Sequence, residues 1–276
     1  MYVLRLNCSD QPGIVAAVAT ALSATDCNIE ESAQFHDPFS GHFFMRVVYA
    51  PLKPAAEKKF EDLFKTIAGK FSMISHIDRL DEPVRTLILV SKEDHCLNDL
   101  LYRWRTKHLP IEITAVAANH DTHKKLVEDR KLPFHYMQGE KPALEKQIAA
   151  LAESTKSELI VLARYMQILS PGLCEKYAGR IINIHHSFLP GFKGAKPYHQ
   201  AYERGVKIIG ATAHFATSDL DEGPIIAQET VHVDHGYTPQ RMQGLGRDTE
   251  ARVLAHSIRL YGERRIFLHG KRTVIL

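Results

Sequence analysis

The chain has 276 residues, with 35 Lys and Arg against 32 Asp and Glu, and a formal net charge of +3. A length of this size, at about 100–200 residues per domain, favours two domains. The composition, 45% hydrophobic and 24% charged, is that of a globular protein and excludes long disordered stretches, while the near balance of charge argues against a nucleic-acid-binding arm.

Charge divides the chain into an acidic part and a basic part. Residues 1–82 carry a net charge of −3 and residues 83–276 a net charge of +6. Between two apolar-patterned stretches, the charged, proline-containing segment from Asp78 to Arg85 is typical of a linker. We therefore expect one domain over 1–82 and a second over 83–276.

The first domain is predicted to have the order β-α-β-β-α-β, which is the ferredoxin-like class. Strands are predicted at 2–8, 28–36, 42–50 and 72–79, and helices at 12–25 and 55–71. Ser9 or Asp10 could cap the first helix, with Pro12 in its first turn. This turn is then either a capped helix start and nothing more, or a place where Gly13 lets the backbone approach a small anionic or zwitterionic ligand.

The stretch Asp10-Gln11-Pro12-Gly13-Ile14-Val15, with Cys27-Asn28-Ile29 opening the next strand, resembles the ACT regulatory domain. Domains of that family pair side by side and often bind an amino acid at the shared interface. The resemblance implies a homo-oligomer, either a dimer formed through this domain or a tetramer. It also implies an amino-acid effector, bound by Asp10, Gly13, Ile14 and Asn28.

The second domain alternates apolar strands with helices, which predicts an α/β fold with a doubly wound, mostly parallel sheet. Strands are predicted at 86–91, 111–118, 134–137, 159–163 and 181–185, with helices at 96–107, 123–130 and 141–155. Two further strands, 208–216 and 225–233, are expected to add antiparallel at one side. A helix at 239–263 and a hairpin near 269–270 complete the pattern.

The loop after the first strand of this sheet runs from Ser91 to Asn98 and contains no glycine. Ligands of such sheets bind outside the carboxyl ends of the strands, and the phosphate-cradling loops of Rossmann and P-loop proteins are Gly-rich. The sequence therefore argues against a nicotinamide-dependent dehydrogenase and against a nucleotide hydrolase.

Polar side chains cluster at the end of the predicted strand 181–185. Side-chain alternation places Asn183, His185 and Ser187 on one face and His186 on the other. Taken alone, an Asn and a His at a strand end are most often structural hydrogen-bonding groups. A metal site is the competing use of these histidines, but adjacent strand residues point apart and the chain has no H-E-x-x-H spacing. We expect no metal.

A second segment changes this interpretation. Asn-x-His-x-Ser-Phe-Leu-Pro from Asn183, followed by His-x(6)-Asp-x-Gly-Pro-Ile from His214, resembles the formyltetrahydrofolate-dependent formyltransferases, and the similarity extends over residues 86–228. The resemblance implies that Asn183, His185 and Asp221 are the catalytic residues. It implies substrate contacts through Tyr165, Met166, Gln167, Ile168 and Leu169, with arginine common in the family at Gln167, and through Ser187 and His214.

These residue types suit transfer or hydrolysis of a formyl group on N10 of the folate. The tetrahedral centre carries an oxyanion, which the amide of Asn183 and the imidazolium of His185 can stabilise. A carboxylate at Asp221 would favour the protonated ring of His185 and can orient or deprotonate water. The folate is the substrate, and we expect no separate cofactor.

The formyl acceptor decides between related reactions. Glycinamide-ribonucleotide transformylases normally carry a Gly- and Asn-containing loop after the first strand, and methionyl-tRNA transformylases an additional basic domain. Segments 90–97 and 185–195 are instead similar to the formyltetrahydrofolate deformylase family, which implies hydrolysis to formate and tetrahydrofolate and a supply of formate for one-carbon and purine metabolism. Formyl transfer to an amine such as glycinamide ribonucleotide, or a non-catalytic, amino-acid-responsive folate-binding role, remain the alternatives.

The chain's compartment follows from its cysteines. Cys8, Cys27, Cys96 and Cys174 are widely spaced without a C-x-x-C pair, which favours a reducing environment. The start of the chain lacks the pattern of a signal peptide, and its apolar run at 14–22 is too short to span a bilayer. We expect a cytoplasmic protein without membrane or nucleic-acid partners, whose basic second domain attracts a substrate bearing glutamate carboxylates.

Overall fold

The computed structural model describes residues 1–191 and 197–276. These residues form two compact units. The first comprises Met1–Glu82 with Glu263–Phe267 and Val274–Leu276, and the second comprises Pro83–Gly262 with Leu268–Thr273. The predicted second domain, 83–276, thus includes two short segments that the structure groups with the first unit.

The first unit has the ferredoxin-like order predicted from the sequence. Its sheet is antiparallel with the strand order β2-β3-β1-β4. Leu4, Leu6 and Val47 of the sheet pack against Leu22 and Phe60 of the two helices, which buries the apolar face of each element. The elements are β1 (Tyr2–Ser9), α1 (Ile14–Ala24), β2 (Cys27–Asp37), β3 (His42–Pro51), α2 (Ala56–Lys70) and β4 (Ile74–Arg79).

Helix α1 begins later than predicted, and its predicted cap is wrong. Gly13 precedes the first helical residue with a φ of 95°, and no described side chain caps the helix. Ser9 is the last residue of β1, Pro12 lies before the helix, and the carboxylate of Asp10 is 3.0 Å from Nδ1 of His36. Glycine adopts this left-handed conformation without steric cost, so a turn of the backbone replaces the expected polar cap.

The second unit has the predicted mostly parallel sheet, with the strand order β11-β10-β9-β8-β5-β6-β7. Strands β5 to β9 pair in parallel, and β10 is antiparallel to both β9 and β11. The elements are β5 (Val84–Val90), α3 (His95–Arg105), β6 (Ile111–Ala118), α4 (Lys124–Glu128), β7 (Phe134–Tyr136), α5 (Lys141–Ser154), β8 (Leu159–Leu162), α6 (Pro171–Lys176), β9 (Ile181–His185), α7 (Pro197–Glu203), β10 (Ile208–Phe215), β11 (Ile225–His232) and α8 (Pro239–Gly262).

Burial explains why the central strands are continuous apolar runs. Every residue of β8 is buried, as are nearly all residues of β5, because strands covered on both faces have no solvent-facing side to make polar. The polar side chains of the predicted site lie near the ends of these strands. The carboxyl ends of β5, β8 and β9 lie side by side at one edge of the sheet, which is where such folds bind ligands.

Two features complete the fold. The predicted carboxyl-terminal hairpin is present as β12 (Ile266–His269) and β13 (Arg272–Ile275), which form a two-stranded sheet. None of the helices in the described part of the chain combines the length and the apolar composition that a membrane span needs.

Candidate active site

Strand register brings the predicted catalytic side chains together. Strand β10 is antiparallel to β9, and it places His214 opposite Asn183. Cross-strand partners point to the same face, and the amide nitrogen Nδ2 of Asn183 lies 3.1 Å from Nε2 of His214. The other ring nitrogen of His214, Nδ1, donates to the carbonyl oxygen of Phe215 at 2.9 Å. The contact with His214 fixes the orientation of the Asn183 amide.

Asp221 reaches the same point from the turn between β10 and β11. Its Oδ1 lies 3.3 Å from Nδ1 of His185 and 3.6 Å from Nε2 of His214. Burial would raise the pKa of this carboxyl, but hydrogen bonds from the two imidazoles hold the pKa well below its usual range. Asp221 is therefore an anion at neutral pH.

A glycine two residues later makes this turn possible. A Cβ on Gly223 would lie 1.8 Å from the carbonyl oxygen of Phe215, a separation no side chain tolerates. The backbone also holds the turn closed, since the amide of Phe215 donates to the carbonyl of Pro224 at 3.0 Å. The turn thus returns to the end of β10, and Asp221 adopts a φ of 56°.

The two nitrogens of His185 both face acceptors. Nδ1 faces the Asp221 carboxylate, and Nε2 lies 3.0 Å from Oγ of Ser187. The hydroxyl of Ser187 donates its own hydrogen to the carbonyl of Gly191 at 2.7 Å, so its oxygen is left to accept from the ring. This arrangement suits the imidazolium form of His185, in which both nitrogens carry hydrogen.

These side chains line a cavity of about 220 Å³. The predicted catalytic residues Asn183, His185 and Asp221 all lie in its wall. Ser187, whose hydroxyl contacts His185 and Gly191, is absent from the described lining of this cavity, and its contact with substrate stays a prediction. The other predicted substrate contacts do line the cavity: Tyr165, Met166, Gln167, Ile168, Leu169 and His214. The similarity over 185–195 extends into residues 192–195, which lie outside the described residues.

His186 departs from its predicted position. It lines the same cavity as His185, and the two ring centroids are 5.1 Å apart. The prediction of opposite faces was wrong because β9 ends at His185, and side-chain alternation ends with the strand. Burial, with the charges of Arg164 and His185, lowers the pKa of His186 to about 4, so its ring is neutral at physiological pH.

A buried polar cluster beside the cavity was not foreseen from the sequence. Arg164 follows β8 and lines the cavity, and its Nε lies 3.4 Å from Oε2 of Glu250 on α8. Glu250 is 1% exposed and also bonds His95 and Tyr198. The sequence signal was weak, since one Arg after a strand and one Glu in a long helix are ordinary separately.

Three residues of this region could in principle hold a metal ion. Ligand atoms of His95, Cys96 and Glu250 lie within 4.8 Å of one another. Burial and the charge of Glu250 raise the pKa of the Cys96 thiol well above its usual value, and a neutral thiol is a poor metal ligand. The Glu250 carboxylate already has hydrogen-bond donors on both oxygens. The residues are therefore satisfied as a hydrogen-bonded cluster and fit a metal poorly.

The residues predicted to bind an effector lie in the first unit. Ile14 is buried at the start of α1, next to Gly13, and Asp10 is paired with His36. Asn28, at the start of β2, donates from Nδ2 to Oε1 of Glu30 at 2.8 Å. Three of the four positions thus share one turn, and their role as an effector site stays a prediction.

Comparison with known proteins identifies relatives over the whole chain. A family model described as formyl transferase matches residues 84–258. A protein from Corynebacterium sp. (strain P-1) named formyltetrahydrofolate deformylase is 47% identical over 100% of this chain and 98% of its own length.

Solved structures give the same picture. The crystal structure of a formyltetrahydrofolate deformylase from Pseudomonas syringae pv. tomato superposes with a TM-score of 0.96, at 41% identity, over 100% of this chain and 94% of that one. A glycinamide ribonucleotide transformylase from Symbiobacterium toebii has a TM-score of 0.67 and 29% identity, and covers 71% of this chain and 95% of its own. The first relatives match both units of the chain, whereas the transformylase matches a part of it.

Proposed function

The chain belongs to the formyltetrahydrofolate deformylase family, and from this premise we propose that it hydrolyses 10-formyltetrahydrofolate to formate and tetrahydrofolate. The observation that carries the proposal is the meeting of Asn183, His185 and Asp221 in one cavity beside the segment 165–169. The segment offers the exposed side chains of Met166 and Ile168, which suit an aromatic ring, and the three polar residues suit the chemistry of the formyl carbon.

Asn183 and His185 are proposed to stabilise the oxyanion. Water adds to the formyl carbon, and the carbonyl oxygen takes the negative charge. One N–H of Asn183 is directed to His214, which leaves the other for this oxygen. The imidazolium of His185 supplies positive charge at the same place, and preorganised donors of this kind contribute a large part of catalysis in acyl-group reactions.

Asp221 is proposed to accept a proton from the attacking water. As an anion held by two imidazoles, it can orient the water and accept a proton as the oxygen–carbon bond forms. The bond between the formyl carbon and N10 then breaks, N10 takes a proton, and the former formyl carbon leaves as formate with the water oxygen. The balance is one water consumed, with tetrahydrofolate, formate and one proton formed.

The test is formate release from 10-formyltetrahydrofolate by the purified full-length protein with no other acceptor. We expect one formate per tetrahydrofolate. Release only after an amine is added would reject hydrolysis. Tight folate binding without any turnover would instead indicate a non-catalytic folate-binding protein that responds to amino acids.

Formyl transfer to an amine is the second candidate, because a transformylase shares the fold of the catalytic part. The assay above is repeated with glycinamide ribonucleotide present. Hydrolysis predicts that formate release stays the same, whereas transfer predicts that the formyl group appears on the amine and formate falls.

The first unit is proposed to be an ACT-like module that pairs two copies of the chain and binds an amino acid. Support comes from its ferredoxin-like topology and from β2, an edge strand whose side chains Ile29 and Phe35 are 37% and 41% exposed. Light scattering of the full chain should give a dimer or a tetramer, and the formate assay should respond to one of the amino acids when each is added singly. A monomeric protein would contradict the pairing.

We place the protein in the cytoplasm, where it would supply formate for one-carbon and purine metabolism without a cofactor besides its folate substrate. All four cysteines are free and buried, which fits a reducing compartment. Deletion of the chain's gene should lower the cell's formate pool, and an unchanged pool would contradict this role.

A further inference from the structure

Arg164 carries the fixed positive charge of the cavity. Among the described residues that line it, no other is a lysine or an arginine, whereas Asp219 and Asp221 are both acidic. The backbone conformation of Arg164 is also energetically unfavourable. Arg164 has a φ of 64°, a left-handed conformation that costs a non-glycine residue free energy.

Backbone contacts hold Arg164 in this conformation. Its carbonyl accepts a hydrogen bond from the amide of Ser91 at 3.3 Å, and the hydroxyl oxygen of Ser91 accepts from the amide of Met166 at 3.0 Å. The turn after β8 is thus tied to the end of β5, and the Arg164 side chain is directed to the cavity by a fixed backbone.

Glu250 fixes the other end of the side chain. Its Oε2 lies 3.4 Å from Nε of Arg164 and accepts from Nε2 of His95 at 2.9 Å, while Oε1 accepts from the hydroxyl of Tyr198 at 2.9 Å. Burial would raise the pKa of Glu250, but the His95 hydrogen bond and the Arg164 charge lower it. A charged carboxylate held by three partners is a rigid support for the guanidinium.

The pairing with Glu250 uses only one edge of the guanidinium. The described residues provide no hydrogen-bond acceptor for its two terminal nitrogens. Those nitrogens form a planar fork that matches the two oxygens of a carboxylate. Arg164 lines the same cavity as His185 and His186.

We propose that Arg164 binds the carboxylate of the product formate, and that Glu250 is the positioning residue that holds it there. This inference rests on the proposed hydrolysis. The formyl carbon enters the cavity in a neutral amide and leaves as an anion beside Asp219 and Asp221, which would repel it. A guanidinium at the wall offsets this repulsion and gives the two formate oxygens a place to bind.

The carboxylates of the folate glutamate have the same chemistry as formate, so the experiment must separate the two. Two readouts are used on the full-length protein: inhibition of turnover by sodium formate, and direct binding of ¹³C-formate followed by NMR line broadening. The variants are Arg164→Gln, Arg164→Lys and Glu250→Gln. Arg252→Gln is the matched control, since it removes an exposed Arg–Glu pair on the same helix as Glu250.

Arg164→Gln is expected to weaken formate inhibition and formate binding by about tenfold or more, because a charge-assisted hydrogen-bonded pair is lost. Arg164→Lys keeps the charge without the fork and should weaken both by a smaller factor. Glu250→Gln should weaken both by several-fold, since the guanidinium is intact but less well held. Arg252→Gln should leave both unchanged.

Unchanged formate binding in Arg164→Gln would overturn the proposal. So would a rise of KM for the folate substrate that disappears with a pteroate analogue lacking glutamate, since Arg164 would then bind the glutamate. If Arg164→Gln does not fold, Arg164→Lys must weaken formate binding, and wild-type binding in that variant overturns the proposal. NMR binding does not require turnover, so failure of the hydrolysis itself would be seen separately, as formate binding without formate release.

Discussion

One oxygen of Asp221, Oδ1, lies 3.3 Å from Nδ1 of His185 and 3.6 Å from Nε2 of His214. Asp221→Asn keeps the shape but removes the charge that orients water and balances His185. We expect formate release to fall by about a hundredfold or more, the usual contribution of a proton-transfer group, while folate binding persists. Fluorescence titration and the formate assay check this.

Asp219→Asn is the matched control for this loss. Asp219 lies in the same turn and lines the same cavity, but its side chain has no described contact with either imidazole. The variant should retain activity within a few-fold of the wild type. Equal losses of activity in the two variants would show that the total negative charge of the turn matters. Asp221 would then have no specific role.

His186 gives a pH-dependence whose sign can be worked out. Its pKa is lowered from 6.5 to about 4 in the folded protein. As the pH falls from 6.5 to about 4, the unfolded chain takes up a proton that the folded protein does not. The contribution of His186 to the free energy of unfolding is therefore complete above pH 6.5 and is lost as the pH falls to about 4. His186→Gln should remove that part of the slope.

Urea unfolding at a series of pH values measures the slope. Between about pH 6.5 and about pH 4, the free energy of unfolding of the wild type should fall more steeply than that of His186→Gln. The difference in slope should correspond to the uptake of up to about one proton on unfolding. His235→Gln, at an exposed loop position, should keep the wild-type slope. Parallel slopes for the wild type and His186→Gln would show that the ring is protonated in the folded protein.

At single residues, the sequence indicated the side chains that belong to a specific motif and missed those that only packing brings together. Asn183, His185 and Asp221 came from a spaced motif, and the structure brings them together. Ser187 lies within hydrogen-bond distance of His185, and its contact with substrate stays a prediction. Arg164 and Glu250 were missed because nothing in either segment shows that α8 packs beside the end of β8.

At the scale of elements, central strands such as β5 and β8 were predicted well because they are dense apolar runs. The two short helices α6 and α7, of six and seven residues, were missed. For α6 a usable signal existed: Ser170 accepts a hydrogen bond from the amide of Leu173, and Pro171 follows it. A polar cap before proline is a common helix start.

The turn between β10 and β11 can be tested through its glycine. A methyl group at Gly223 would meet the carbonyl of Phe215 at 1.8 Å, and that backbone cannot move without disturbing the end of β10. Gly223→Ala should therefore displace Asp221 and lower formate release by about a hundredfold, as if the carboxylate were removed, while the rest of the fold remains. Circular dichroism and the formate assay check both parts.

Gly244→Ala is the matched control for this substitution. Gly244 lies in α8 with nothing within 4 Å of the added Cβ, and alanine in a helix interior is favoured over glycine by roughly 0.5–1 kcal/mol. The control should keep full activity and melt slightly higher. Wild-type activity in Gly223→Ala would show that the turn can shift without moving Asp221.

At the scale of the whole molecule, the division of the chain could be predicted only in part. A charged linker marks the end of the first unit, and the structure separates the units after Glu82. Nothing in the local pattern of the last residues tells which core they join. Arg46 donates to the carbonyl of Glu263 at 3.0 Å, and Arg265 to that of Leu276 at 2.6 Å. The first of these contacts links positions 217 residues apart, and no period in the sequence encodes such a pairing.

The segments Glu263–Phe267 and Val274–Leu276, called the tail here, belong to the first unit. Their contribution to its stability can be measured at Phe267. Its ring packs edge-on against Phe44 with centroids 5.8 Å apart, and the two side chains are 5% and 1% exposed. Phe267→Ala should cost about 3 kcal/mol, as for other buried aromatic truncations. Amides of β1 and β3 should then exchange hydrogen faster by about a hundredfold, with β6 unaffected.

Leu268→Ala is the control, because the next residue is 47% exposed and a surface truncation changes stability by about 0.5 kcal/mol or less. Hydrogen exchange read by mass spectrometry follows each strand separately, so a local loss in the first unit is not confused with unfolding of the second. Wild-type exchange in β1 and β3 of Phe267→Ala would mean that residues 1–82 hold their core without the tail, as the linker alone predicted. Faster exchange would mean that Phe267 contributes to the stability of the first unit.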